Sequence, residues 1–114
     1  MYKLNIFMRR KPDLTFAEFS RHWRTVHAAV VTSQFASKKY IRRYIQCHSL
    51  PVPLNGRAAS TFDGIAEVWF DDQASAEAFF ATADYQRNII ADEQKFMDRD
   101  NCEFLFTDEV VVIT

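Results

Sequence analysis

The hydrophobic period changes along this chain in one fixed order, and that order constrains the fold more than any other feature. In residues 2 to 9, Tyr2, Leu4, Ile6 and Met8 alternate with Lys3, Asn5, Phe7 and Arg9, the mark of a half-buried strand. "KPDLT" interrupts the alternation, and "TFAE", Thr15 to Glu18, matches the capping box that opens a helix. Phe16, Phe19, Trp23, Val26 and Val30 share one face at ~100° per residue, so a helix is expected to about Phe35. Residues 39–48, rich in Tyr and Ile, alternate again as a second strand. "SLPVPLNGRAASTFD" holds two of the three prolines and one of the two glycines, and reads as the one substantial loop. "GIAEVWFD", Gly64 to Asp71, is a third strand. A helical region follows from about Gln73 to Asp98, with a break near Thr82 to Asp84, and "EFLFTDEVVVIT" closes the chain as a fourth strand.

The resulting order is β-α-β-β-α-β, an α+β arrangement of the ferredoxin-like type: an antiparallel sheet with two helices on one face. A length of 114 residues suits a single domain, residues 1–114, with one core. The first and last strands carry apolar residues on both sides: Phe7 opposes Ile6, and Leu105 and Val111 oppose Phe106 and Val112. Two helices cover only one face of such a sheet, so a homodimer through the other face is expected.

Several function classes are disfavoured. A formal net charge of −1 with mixed signs gives neither a nucleic-acid footprint nor a polybasic membrane anchor. No apolar run approaches the ~20 residues that span a bilayer, and the N-terminus lacks the order of a signal peptide. Cys47 and Cys102 stand apart with no CxxC spacing and read as reduced thiols. A soluble cytoplasmic protein is expected. With two glycines in the chain, a nucleotide cofactor held by a Gly-rich loop is disfavoured, and neither a nucleophile elbow nor a Cys-His pairing is present.

The chain resembles the EthD-like proteins of the dimeric α/β-barrel superfamily over nearly its whole length. The resemblance rests on "LTFAEFSRHWRTVHAAVV", "FDGIAEVWFDD" and "ADEQKFMD", with a terminal strand containing "DEVVV". In "FDGIAEVWFDD", Asp63, Gly64, Glu67, Trp69 and Phe70 sit where the family pattern has them. The resemblance implies two βαββαβ subunits pairing their sheets into a barrel, and a small-molecule substrate in a cleft between helices and sheet. Relatives on the fold include methylmuconolactone isomerases, polyketide cyclases and small monooxygenases, several of which need no metal or organic cofactor. Likeness to the isomerases implies a catalytic histidine at His27 and a catalytic tyrosine at Tyr40, with Asp63, Glu67 and the loop histidine His48 as further matches. Where those isomerases carry a cysteine between the Glu and Trp of the third strand, this chain has Val68.

The residues themselves leave alternatives beside these roles. His27 lies about 40° from Trp23 on the helix and continues the Phe19–Trp23 row toward the sheet. It reads as a general acid/base or as a satisfied core histidine. His22 lies ~140° away from it, so the two are not expected to share a metal, and no metal site is expected. His22 reads as a boundary residue near the helix surface. Tyr40 polarises a substrate carbonyl or merely packs on the first helix. Glu67 and Trp69 face away from Ala66 and Val68, with Arg42 or Arg43 as the expected partner of Glu67. Trp23 and Val68 shape the cleft, Asp63 serves an Asx turn or touches substrate, and Asp92 and Asp98 read as surface or capping residues. The expected function is cofactor-independent acid/base chemistry (isomerisation, cyclisation or a lyase step) on a small hydrophobic or aromatic-derived carbonyl compound. The alternatives are a cofactor-free monooxygenase on phenolic substrates and a non-enzymatic accessory protein binding a small molecule or haem.

Overall fold

The computed structural model describes residues 1–52 and 54–114; Pro53, one of the two loop prolines, lies outside the described residues. Strand β1 (Tyr2–Met8) leads to a helix opened by the expected capping box: the Glu18 amide donates to Thr15 Oγ1 at 3.1 Å, and the Thr15 amide to Glu18 Oε1 at 2.9 Å. That helix is continuous but not uniform. It runs as α1 (Phe16–His22), a π-helical turn (Trp23–His27) and α2 (Ala28–Ser33), then stops at Gln34, whose backbone is extended. The wider turn realigns the buried row. Phe19, Trp23, His27 and Val31 are all buried at i,i+4 spacing, whereas Val26, expected on that face, is 46% exposed.

A short helix α3 (Phe35–Tyr40) occupies residues expected to end one helix and begin a strand. Its second amide, Ala36, is held by Asp84 Oδ2 at 2.9 Å, a tertiary cap that no local pattern announces. Strand β2 (Ile41–His48) therefore begins after Tyr40 and not before it. Strand β3 (Gly64–Phe70) is followed by α4 (Gln73–Ala81), capped by Asp72, whose Oδ1 accepts from the Ser75 amide at 2.7 Å. The expected break falls at Thr82, whose backbone is extended; a second π-helical turn (Asp84–Ile89) then runs into α5 (Ile90–Phe96). Strand β4 (Glu103–Thr107) is shorter than expected. Among the described residues it pairs with β1 alone, and the pairing ends at Lys3↔Thr107, one residue short of the start of β1.

The sheet order is β2-β3-β1-β4 with every neighbouring pair antiparallel, the ferredoxin-like arrangement. Leu4, Val68 and Phe70 meet Phe79, Tyr85 and Ile89 in one half of the core. Met8 and Ala66 meet Phe19, Trp23 and Phe96 in the other. Pleating sends Lys3, Asn5, Phe7, Ile65, Glu67 and Trp69 to the opposite face, which carries no helix. Among the described residues, no helix is long and apolar enough to cross a membrane.

Candidate functional site

The π-helical turn puts two histidines on one carboxylate. The Ala28 amide reaches back to the carbonyl of Trp23, an i→i−5 bond. Positions five apart thereby come to neighbouring faces, as they do not in a regular α-helix. His27 Nδ1 lies 2.7 Å from Asp92 Oδ2, and His22 Nε2 lies 3.1 Å from both Asp92 oxygens. Phe96, one turn beyond Asp92, packs its ring 4.8 Å from His22 and 4.9 Å from His27, centroid to centroid. This corrects the expectation for Asp92 and adds a contact to that for His22, which is half-buried at the helix boundary as expected. Asp92 is only 3% exposed and is no surface residue, and His22 binds the carboxylate that orients His27.

A carboxylate only accepts, so His27 Nδ1 carries the proton and Nε2 is left with its lone pair. Among the described residues nothing bonds to that Nε2. Burial pushes the His27 imidazole below the usual histidine range, and the hydrogen bond and charge of Asp92 oppose that push. That direction favours the neutral ring, with Nε2 as its basic nitrogen.

His27 lines an apolar cavity between helices and sheet, together with Trp23, Tyr44, Val68, Tyr85 and Glu93. About 50 Å³ is open to water-sized molecules, room for a few waters at the roughly 10–15 Å³ each needs. The polar groups on its walls come from three elements. Glu93 Oε1 accepts from Arg99 Nε at 3.1 Å and faces the Tyr85 hydroxyl at 3.5 Å. Burial raises the Glu93 carboxyl, and burial with the Glu93 charge pushes the Tyr85 phenol up to about 12. The Tyr44 hydroxyl lies 3.0 Å from Trp23 Nε1 and 3.2 Å from Gln46 Nε2.

Of the residues singled out in the sequence, Trp23, His27 and Val68 meet at this cavity. Tyr40 is not among its walls: it ends α3, half-buried, with the Lys39 ammonium 5.1 Å from its ring centre. Tyr44, four residues later on β2, lines the cavity. His48 packs against Trp23, ring centres 4.3 Å apart and planes tilted by 35°, and borders a separate groove with Phe7, Cys47 and Phe62. Asp63 accepts from the Arg10 amide at 2.8 Å and the Arg10 guanidinium at 2.6 Å, tying the end of β1 to the start of β3 instead of serving an Asx turn. Glu67 and Trp69 lie on the face opposite the cavity. The partner of Glu67 is Lys3 at 2.7 Å, not Arg42 or Arg43; Arg42 pairs with Asp71, and Arg43 sits over Trp69.

The sequence reading missed Asp92, Tyr44, Tyr85 and Glu93. For Asp92 a signal existed: Ile89, Asp92 and Phe96 stand at i, i+3, i+7, so the carboxylate shares a face with two buried residues. For Tyr44 the strand alternation with Gln46 and His48 was available once β2 was in place.

The model of the EthD domain matches residues 11–100. Among solved structures, an EthD family protein from Bacillus halodurans superposes with a TM-score of 0.70 at 20% identity, covering 96% of this chain and 99% of that one. A dimeric protein of ferredoxin-like fold from Bacteroides fragilis gives 0.67 at 9% identity, covering 95% of each chain. A putative antibiotic biosynthesis monooxygenase from Nitrosomonas europaea gives 0.59 at 14% identity, covering 97% of this chain and all of that one, 100%. No curated protein matches the chain.

Proposed function

The chain belongs to the EthD family, and from that premise we propose that it is a cofactor-independent enzyme moving a proton beside a carbonyl group of a small hydrophobic compound. One observation carries the reading: a buried histidine that lines an apolar cavity, its Nδ1 held by Asp92 and its Nε2 without a partner among the described residues. In such a site Nε2 takes a proton from the carbon next to the carbonyl, and Asp92 stabilises the imidazolium that forms. The same nitrogen returns the proton at another position, completing an isomerisation, or lets a carbon–carbon bond close in a cyclisation. Apolar walls keep competing water out and suit an aromatic-derived substrate.

The test is exchange of carbonyl-adjacent protons in D2O, followed by NMR across a panel of lactones and aryl ketones. Accelerated exchange with the wild type, abolished in a folded His27→Ala variant, supports the reading. Exchange that persists in that variant removes it. A second reading takes support from the likeness to the monooxygenase of Nitrosomonas europaea. In that reading His27 removes a phenolic proton of the substrate, and the electron-rich anion reacts with O2. Substrate-dependent oxygen uptake separates the two.

The open sheet face fits a second copy of the chain. Phe7, Ile65 and Leu105 lie on it, Leu105 is 51% exposed, and the Bacteroides fragilis protein of the same fold is dimeric. Light scattering that returns a monomer would refute this.

A further inference from the structure

With His48 neutral, the form its burial favours, the chain of hydrogen bonds that ends at Tyr44 has one consistent set of proton positions. Gln46 Nε2 lies 2.8 Å from the backbone carbonyl of Trp23, which only accepts, so that end of the amide is the NH2. Gln46 Oε1, 2.9 Å from His48 Nε2, must then accept, so His48 carries its proton on Nε2. His48 Nδ1 is left to accept the Ser20 hydroxyl at 2.7 Å. At the other end, the Tyr44 oxygen receives the second N–H of Gln46 at 3.2 Å and the indole N–H of Trp23 at 3.0 Å. Neither nitrogen can accept in return. The Tyr44 O–H is thus the one proton in the chain without an acceptor among the described residues, and Tyr44 lines the same cavity as His27.

Resting on the reading of that cavity as a proton-transfer site, we propose that Tyr44 is its hydrogen-bond donor to the substrate oxygen. When His27 removes a proton beside a carbonyl, negative charge develops on the carbonyl oxygen. A phenol O–H with no competing acceptor among the described residues is available to that oxygen and stabilises the charge. Two N–H donors to the phenol oxygen make its own proton a stronger donor, because hydrogen bonds in series polarise one another. Burial raises the Tyr44 phenol above its ordinary value, so it keeps the proton at neutral pH. Gln46 and His48 act through Tyr44 as positioning residues. The π-helical turn contributes as well, since Trp23 supplies both the indole N–H and the carbonyl that orients Gln46.

The probe is 4-nitrophenol, whose coloured anion presents an oxygen like that of an enolate and reports its own ionisation. Wild-type protein is expected to bind it and raise the anion fraction over that in free solution. Tyr44→Phe should lower the affinity for the anion by roughly tenfold or more, the scale of a hydrogen bond to a charged group. A Gln46→Glu variant keeps the phenol but sets a carboxylate acceptor beside it. It should show the same loss, and it carries the test if Tyr44→Phe does not fold. Binding unchanged in both folded variants overturns the donor role and leaves the His27 reading standing. Failure of the wild type to bind the probe overturns the cavity reading and this proposal together.

Discussion

On the open face of the sheet, Glu67 lies 2.7 Å from the Lys3 ammonium, and Lys3 in turn sits 4.5 Å from the ring centre of Trp69 and 3.7 Å from Glu109. Arg43 covers Trp69 from the strand beside it, and the Trp69 indole N–H donates to Glu109. On the helix side, Asp92 meets two imidazoles, with Lys95 no nearer than 4.0 Å at the rim. In the first cluster Lys3 is shared between Glu67 and Glu109, so each acid has a cation beside it. The second holds the Asp92 carboxylate against His22 and His27, and at the cavity beside it the His27 Nε2 lone pair and the Tyr44 phenol proton have no partner among the described residues. Hydrogen bonding on the open face completes a structure; on the helix side it prepares two groups and leaves them open.

The largest effect that would break this contrast comes from Asp92→Asn. The amide keeps the shape but loses the charge that stabilises an imidazolium, so turnover should fall by roughly 10²–10⁴-fold. The sign of the pH effect is fixed by the causes of the His27 shift. Burial lowers its titration and Asp92 raises it, so wild-type activity should fade on the acid side below the ordinary value of 6.5. Removing Asp92 leaves burial unopposed and moves that limb to still lower pH. Stability follows the same sign: the unfolded chain takes up the proton first as pH falls through about 6.5, so folding weakens there. A pH profile of exchange rate that loses amplitude without moving would separate His27 from Asp92 and sink the dyad.

Gly64→Ala comes next. A Cβ there would stand 2.6 Å from the Cys47 carbonyl oxygen and 2.6 Å from Cζ3 of Trp23, and the backbone contact cannot yield by a side-chain turn. The expected cost is about 1–3 kcal/mol, read as a lower denaturant midpoint. Because the displaced ring is that of Trp23, anion binding at Tyr44 should weaken in parallel. A midpoint shift with unaltered binding would detach the Trp23–Tyr44 bond from the site.

Much of this was legible in the chain itself, and the failures have physical causes. Strand alternation, the capping box at Thr15 and the break at Thr82 each depend on neighbours in sequence, and each stands in the structure. The inward turn of His27 was equally local. What pattern could not supply was the π-helical turn, because one wider turn leaves no compositional mark, and without it His22 and His27 stand on different faces. Tyr40 and Tyr44 both suit a strand. Only the contact from Asp84 to Ala36 decides that the first ends a helix. The cation for Glu67 depends on register: pairing Lys3 with Trp69 and Asn5 with Glu67 brings the lysine diagonally onto the carboxylate. Adjacent arginines on β2 were nearer in chemistry but not in space.

The smallest expected effect tests the open face itself. Glu67 is held below the ordinary carboxylate value chiefly by its hydrogen bond from Lys3, so it is charged at neutral pH. Glu67→Gln removes that charge, keeps an acceptor for the ammonium, and should cost roughly 1 kcal/mol or less, as partly exposed pairs do. The sheet separates this residue from His27, so proton exchange in the folded variant should match the wild type within a factor of about two, a difference of well under 1 kcal/mol. Dimerisation is the more sensitive readout, because a second copy over this face would bury the Lys3 cluster and make its balance of charge matter. A weakened dimer with intact exchange keeps the two faces independent. Exchange that falls tenfold in the dimer would mean that the covered face supports the cavity through the sheet, and the division of labour between the faces would be wrong.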